Sequence, residues 1–367
     1  MNVEPTLDKS ALALVQTLDD FEALAKSHLP HRAYEFVAGA VGDEITSAEN
    51  RAAFGRTRLQ PRILVDVSRT DTSVTLFGRR HAHPILLAPT GYHKLFHAEG
   101  ERATVRGANL AESTLIAASF ATTSIEDMAA LATQPLWFQL YMNPDRGITR
   151  ELVERTIAVG CEAICVTVDT PSNGPRDREL RAGFVLPPGV ERVNLSTLRG
   201  GVAASPDRPS GRHIYSALRS ASATWADLEW LRSLLKAPLL IKGVLHPDDA
   251  DRAIDAGCDG VVVSNHGGRT IDTVPATLEV LPRIADRVGG KTTILFDGGI
   301  RRGTDIFKAM ALGASAVCIG RPYLYGLAVG GEFGIARVME ILRSELEMTM
   351  CLVGCPELGK ATRAWIG

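Results

Sequence analysis

The chain has 367 residues, 45% of them hydrophobic and 22% charged, with a formal net charge of −2. Those proportions belong to a globular protein and give no basis for nucleic acid or an acidic membrane surface as partner. No window approaches 18 unbroken apolar residues, so no spanning helix is expected, and metal or disulfide chemistry is not expected from six cysteines without a second ligand pair.

In chain order, residues 1–60 come first, with FEALAKSHLPHRAYEFVAG reading as helical pieces that cap one end of the fold. This start lacks the charged and apolar regions of a signal peptide, and the end KATRAWIG carries no peroxisomal or prenylation signal; a cytoplasmic location is the expectation. The HxH pair His81 and His83 precedes the first strand and is not expected to bind metal.

Eight short apolar runs then alternate with amphipathic stretches. They are PILLAP (84–89), TLIAAS (114–119), LWFQLY (136–141), AICVTVD (163–169), PLLIKG (238–243), GVVVSN (260–265), TTILFDG (292–298) and SAVCIG (315–320). Unbroken apolar strands alternating with helices mean parallel strands buried on both faces. Eight such units in about 250 residues predict a closed (β/α)8 TIM barrel over 84–350, within one domain spanning 1–367. A doubly wound sheet is the alternative, disfavoured by the count of eight and by the absence of an early GxGxxG. Residues 186–225, rich in Pro, Gly, Ser and Arg, break the rhythm after the fourth strand and read as a mobile surface loop. Trp137 and Phe138 are read as core and subunit contacts, and His93 and His97 as local loop packing.

Chemistry in such a barrel sits at the C-terminal ends of the strands. In order those ends carry Pro89, Thr90 and Gly91; Ala118 and Ser119; Gln139 and Tyr141; Thr167 and Asp169, followed by Arg176; Lys242; Ser264, His266 and Arg269; Asp297, Gly298, Gly299 and Arg301; and Gly320 and Arg321. The last two groups combine glycine turns with arginines at the loops where barrels commonly hold phosphate. His266 titrates near neutrality and can take a proton, and Asp169 can orient it and stabilise the resulting imidazolium. Arg176 and Arg269 have the fork geometry to hold a carboxylate. Lys242 can neutralise a developing anion. A base, its orienting carboxylate and two arginine forks describe proton abstraction from an organic acid.

The motifs ENRAAF, APTGY, FQLY, TVDTP, IKGV, SNHGGR, PATLEVLP, DGGIRRGTDIFKA and LGASAVCIGRP follow one another in this order. On them, from about residue 21 to residue 355, the chain resembles the FMN-dependent 2-hydroxy-acid oxidases and dehydrogenases, the family of glycolate oxidase, lactate oxidase, mandelate dehydrogenase and 4-hydroxymandelate oxidase. The resemblance implies an FMN ring against Pro89, Thr90, Gly91, Ala118, Gln139, Thr167, Lys242 and Ser264. It implies the FMN phosphate on Asp297, Gly298, Gly299 and Arg301 with Gly320 and Arg321. It makes His266 the base beside Asp169, with Lys242 supporting the reduced flavin, and Arg176, Arg269 and Tyr141 the holders of the substrate carboxylate. The implied reaction takes an L/(S)-2-hydroxy acid to the 2-oxo acid and passes electrons to oxygen or another acceptor. A homotetramer is the assembly the resemblance implies.

Three positions depart from the family pattern. The N-terminal motif reads YEFV, so Tyr34 matches its first tyrosine while Phe36 stands at the substrate-contacting position. The lost hydroxyl makes the pocket more apolar and suits a bulky or aromatic acid of the mandelate type, with lactate or glycolate as the short-chain alternative. Ala118 replaces a common flavin-contacting serine. Gly91 replaces an alanine frequent in oxidases and leaves more room beside flavin N5. A non-redox FMN barrel of the isopentenyl diphosphate isomerase kind would need a metal site for diphosphate, which the sequence does not offer. A catalytically dead flavin carrier would not need His266, Arg269, Arg176, Tyr141 and Lys242 together.

Overall fold

The computed structural model describes residues 6–198 and 219–367. Four helices lead the chain: α1 (Lys9–Ala13), α2 (Leu18–His28), α3 (His31–Ala38) and α4 (Ile45–Arg56). Thr17 and Asp20 form a reciprocal capping box that starts α2, with each backbone N–H bonded to the other's side chain at 2.8 and 3.1 Å.

Next comes an element that the apolar pattern did not reveal. Strands β1 (Val74–Leu76) and β2 (Arg79–His81) form a two-residue hairpin through Phe77 and Gly78, both at positive φ. Its strands are too short to show an alternation, and the second, RRH, is charged.

The eight expected strands follow as β3 (Ile85–Leu87), β4 (Leu115–Ala118), β5 (Leu136–Leu140), β6 (Ile164–Thr167), β7 (Leu239–Val244), β8 (Gly260–Val263), β9 (Thr293–Asp297) and β10 (Ala316–Ile319). All pair in parallel, and β10 pairs with β3 to close the barrel. Side chains alternate in and out along each strand. One set, with Leu86, Ile116, Trp137, Cys165, Leu240, Val262, Leu295 and Cys318, fills the barrel interior, and Leu76 of the hairpin closes it from below. Phe77 packs on Trp137 with ring centroids 5.6 Å apart. The other set faces the surrounding helices, which explains why the strands read as unbroken apolar runs.

Trp137 and Phe138 are both buried within the protomer, Trp137 inside the barrel and Phe138 against the helices. They are core residues and cannot reach a neighbouring subunit. Truncating Trp137 to alanine would cost about 3–5 kcal/mol. The thiols of Cys165 and Cys318 face the same interior, and burial pushes Cys165 up to about 12, so neither is a reactive thiolate.

Helices α3 and α4 sit over the strand C-termini, at the end opposite the hairpin. Asn50 of α4 and Asn265 after β8 exchange two amide hydrogen bonds of 2.8 Å. Thr46 N donates to Asp272 Oδ1 at 2.8 Å. The final helix runs from Arg321 to Val353 with a break at Gly330 and Gly331. Of the 186–225 loop, residues 186–198 hold a short helix (Val193–Ser196) and bury Val190, Asn194, Leu195 and Leu198; residues 199–218 lie outside the described residues. Among the described residues no helix is long and apolar enough to cross a membrane.

Candidate active site

Two residues above the apolar interior layer, the same inward alternation presents a second, mostly polar layer. It holds Ala118, Gln139, Thr167, Lys242, Ser264, Asp297 and Gly320, one residue from each of seven strands or their ends. Lys242 Nζ donates to Ser264 Oγ at 2.8 Å and lies 3.1 Å from Asp297 Oδ2. Burial works against the Lys242 ammonium, but Asp297 and Asp169 outweigh it and raise its pKa. Lys242 is therefore a fixed cation at the floor of the mouth.

His266 stands between Asn265 and two glycines for a geometric reason. His266, Gly267 and Gly268 have φ of 57°, 65° and 73°, three successive left-handed residues. A Cβ at Gly268 would fall 2.7 Å from Ser47 N, so only glycine fits there. The turn swings His266 back over β6, where its Nδ1 lies 2.9 Å from Asp169 Oδ1. For histidine the left-handed backbone costs about 1–2 kcal/mol. Burial lowers the imidazole pKa despite Asp169, leaving the ring neutral and able to accept a proton. Burial alone would raise Asp169, yet His266 and then Lys242 hold it below the ordinary carboxylate value. With Nδ1–H donated to Asp169, Nε2 carries the free lone pair.

Arg269 and Arg176 converge from separate loops. Arg269 donates Nη1 to the carbonyls of Phe36 and Gly39 at 2.9 and 2.6 Å. Its Nη2 lies 3.1 Å from Glu179 Oε1, the same oxygen that accepts from Arg176 Nη1 at 2.8 Å. Burial and then Arg176 push Arg269 down to about 9, with Glu179 pulling the other way. The guanidinium remains charged at neutral pH and shares the Glu179 carboxylate with Arg176, so net positive charge is left over for an incoming carboxylate.

An aromatic wall lines this space. Phe36 stacks on Phe184 at 4.5 Å and meets Tyr92 edge-on at 6.1 Å; Tyr92 lies 6.0 Å from Phe120, which lies 5.0 Å from Tyr141. The Arg269 guanidinium sits 5.4 Å from the Phe36 ring centroid. At Gly91 the expected spare room is bounded, because a Cβ there would fall 3.1 Å from Phe120 Cβ.

The residues present fit a flavin mononucleotide. Gln139 Nε2, Asp297 Oδ1, Thr277 Oγ1 and Arg301 Nε are buried and have no partner among the described residues. The amide and Asp297 lie in the layer facing the mouth. Arg301 lies in the glycine turn after β9, where burial, with Arg51 and Arg321 adding to it, lowers the guanidinium pKa and favours an anion. Gly298 and Gly299 have φ of 114° and 86°, and Cβ atoms there would collide with Thr277 Oγ1 at 2.4 Å and Asn50 O at 2.2 Å. Arg321 uses three N–H groups on the carbonyls of Val37, Gly39 and Gly267 and keeps two for a ligand. Pro89 and Thr90 follow β3, and Thr90 Oγ1 rests 2.8 Å from His93 Nε2. His93 in turn reaches Thr104 at 2.8 Å, so its role is packing beneath the Thr90 turn.

The expected site residues therefore share one mouth. Sequence reading missed Glu179 and the Asn50–Asn265 lock. The spacing of Glu179, three after Arg176 on a helical turn, was the available signal; the asparagine lock joins residues 215 apart and left none.

The FMN-dependent dehydrogenase family model matches residues 25–367. An L-lactate oxidase from Nostoc sp. is 46% identical over 95% of this chain and 97% of its own length. Glycolate oxidase 3 from Oryza sativa subsp. japonica is 41% identical over 96% of both chains. The solved structure of a mandelate oxidase with (S)-2-phenylpropionate superposes with a TM-score of 0.87 at 39% identity, covering 96% of this chain and 98% of that one.

Proposed function

The chain belongs to the FMN-dependent 2-hydroxy-acid oxidases and dehydrogenases, and from that premise we propose that it oxidises an L/(S)-2-hydroxy acid with an aromatic or similarly bulky side chain. The observation carrying the substrate choice is the wall of Phe36, Phe184, Tyr92, Phe120 and Tyr141 beside Arg269. An aromatic ring buried against such a wall is favoured by its area and by offset or edge-on contacts, each worth about 0.5–1.5 kcal/mol.

When bound, FMN supplies the acceptor for the two electrons that leave the substrate. Arg176 and Arg269 hold the carboxylate, with Tyr141 beside them. Pro89, Thr90, Gly91, Ala118, Gln139, Thr167 and Ser264 would border the flavin ring, and Gly298, Gly299, Arg301, Gly320 and Arg321 would hold its phosphate, with Asp297, paired to Lys242, at the start of that turn as an acceptor for the cofactor's hydroxyl or N–H groups. His266 Nε2 takes the substrate proton while Asp169 fixes the tautomer and stabilises the imidazolium. Lys242 places a positive charge where the reduced cofactor gains negative charge.

A short-chain reading is favoured by one observation, the 46% identity to an L-lactate oxidase. Anaerobic mixing of the yellow holoenzyme with glycolate, lactate, mandelate and 4-hydroxymandelate decides between them. Faster flavin bleaching by an (S)-aromatic acid than by L-lactate is expected. The reverse order overturns the aromatic assignment, and no bleaching by any hydroxy acid overturns the reaction. Admitting air measures whether oxygen serves as acceptor. The reading extends to a homotetramer, for which the exposed apolar side chains of Ile63, Leu64, Met348 and Leu352 offer surface to cover and light scattering is the measurement, and to a cytoplasmic location, which cell fractionation measures.

A further inference from the structure

We propose that Glu179 is a positioning and charge-setting residue that holds the arginine pair at a net charge of one and so selects a monoanionic 2-hydroxy acid over a dianionic one. This rests on the carboxylate-holding reading of Arg176 and Arg269 given above.

The geometry is a single carboxylate oxygen shared by both forks. Glu179 Oε1 accepts from Arg176 Nη1 at 2.8 Å and lies 3.1 Å from Arg269 Nη2. The side chains are sheltered, with 13% exposure for Glu179 and 17% for Arg269, so solvent screens the contact little. Glu179 and Arg176 belong to one short helical segment, and that segment is anchored: Arg178 pairs with Glu35 of α3 and lies 3.4 Å from Glu44. Arg269 is anchored separately through the carbonyls of Phe36 and Gly39. The carboxylate thus ties two loops from different strands at one distance from each other. It also leaves donors free, because Arg176 spends one of its five N–H groups on Glu179 and Arg269 spends one beyond its two carbonyls.

The charge balance follows. Two guanidinium groups and one carboxylate leave one positive charge for an incoming ligand, and one substrate carboxylate neutralises it. A second carboxylate on the ligand would meet Glu179, Asp169 and Asp297 around the same mouth, where Lys242 is already paired with Asp297 and the remaining N–H groups of Arg321 go to the FMN phosphate in the functional reading above. Like charge in a partly desolvated site costs affinity: at an effective dielectric constant of about 20, a unit charge about 12 Å away costs on the order of tenfold, and a closer one more.

The test uses two isosteric probes that differ by one charge, oxamate (monoanion) and oxalate (dianion). Each is titrated into the FMN-loaded enzyme at pH 7 and followed by the flavin absorbance. Glu179→Gln keeps the shape and removes the charge, and the oxalate-to-oxamate affinity ratio should rise by about tenfold relative to wild type. Glu179→Asp keeps the charge, and its ratio should stay near the wild-type value even where both affinities fall. Arg176→Gln removes a positive charge instead, and the ratio should move the opposite way; this variant keeps the question open to measurement should E179Q fail to fold. A merely structural role for Glu179 would weaken both probes together. An unchanged ratio in E179Q, or the same direction of change in E179Q and R176Q, overturns the proposal. Flavin bleaching by a hydroxy acid with an unmoved ratio would sink this inference alone, whereas absence of bleaching would sink the functional reading beneath it.

Discussion

His266 Nδ1 and Asp169 Oδ1 lie 2.9 Å apart although 97 residues separate them in the chain. The two reach each other across β7, from the turns that follow β6 and β8. Between them in the barrel order stands Lys242, whose ammonium is pinned by Ser264 and Asp297. Base, orienting carboxylate and fixed cation therefore come from three consecutive strands.

Replacing His266 by alanine removes the proton acceptor without touching the phosphate turn. The variant is expected to retain FMN and to lose flavin reduction by roughly 10²–10⁴-fold, the usual contribution of a positioned base. Stopped-flow reduction under anaerobic conditions measures it, and reduction within a few-fold of wild type would remove His266 from that role. Asp169→Asn should lose activity on a similar scale, because an amide facing Nδ1 allows the wrong tautomer.

The pH profile follows from the same pair. Burial lowers the His266 pKa below 6.5 and the base works only when neutral. Reduction should therefore be nearly constant above the ordinary histidine value and decline only as pH falls through the lowered one. A rate that is already falling between pH 8 and 7 would contradict a depressed imidazole.

Arg269→Lys keeps a charge but cannot hold Phe36 O, Gly39 O and Glu179 together. A hydrogen bond to a charged group is worth about 1.5–3 kcal/mol, so kcat/KM should drop by roughly 10–150-fold. Steady-state kinetics report it, and a change below threefold would argue against the fork.

Gly91→Ala places a methyl 3.1 Å from Phe120 Cβ, and Phe120 is part of the aromatic wall. Overpacking of this kind costs about 1–3 kcal/mol. Apparent affinity for an aromatic hydroxy acid should weaken more than that for lactate. Equal effects on both substrates would separate Phe120 from the side-chain pocket.

Loss of Arg301 tests the cofactor cradle. Its Nε is buried without a partner among the described residues, and burial disfavours its charge, so a bound phosphate is the compensation it lacks. Arg301→Leu should release FMN on dialysis and lower Tm, since a ligand that binds only the folded state stabilises it by RT ln(1 + [L]/Kd). A variant that stays yellow with an unchanged Tm would move the phosphate elsewhere.

Much of this molecule could be read along the chain. All eight barrel strands were legible because a parallel strand is buried on both faces, so PLLIKG or GVVVSN stands out as an unbroken apolar run ended by a polar residue. The site was legible for the same reason: a barrel delivers whatever ends its strands to one rim, so Lys242, Ser264 and Asp297 could be placed together without coordinates. The β1–β2 hairpin was not legible, since RRH with its two exposed arginines carries no apolar alternation.

What the sequence determined by itself was local: the strand periodicity, the glycine turns, the residue types at each strand end. Tertiary structure alone decided the pairings between distant segments. Glu179 joins Arg176 to Arg269, and Asn50 locks to Asn265, because closing the barrel and laying α3 and α4 over its mouth brings those segments within bonding distance. Hydrogen-bond partners at such separations depend on angles and distances that a linear pattern does not encode. The charge on the arginine pair is a property of that closure, and one carboxylate oxygen sets it.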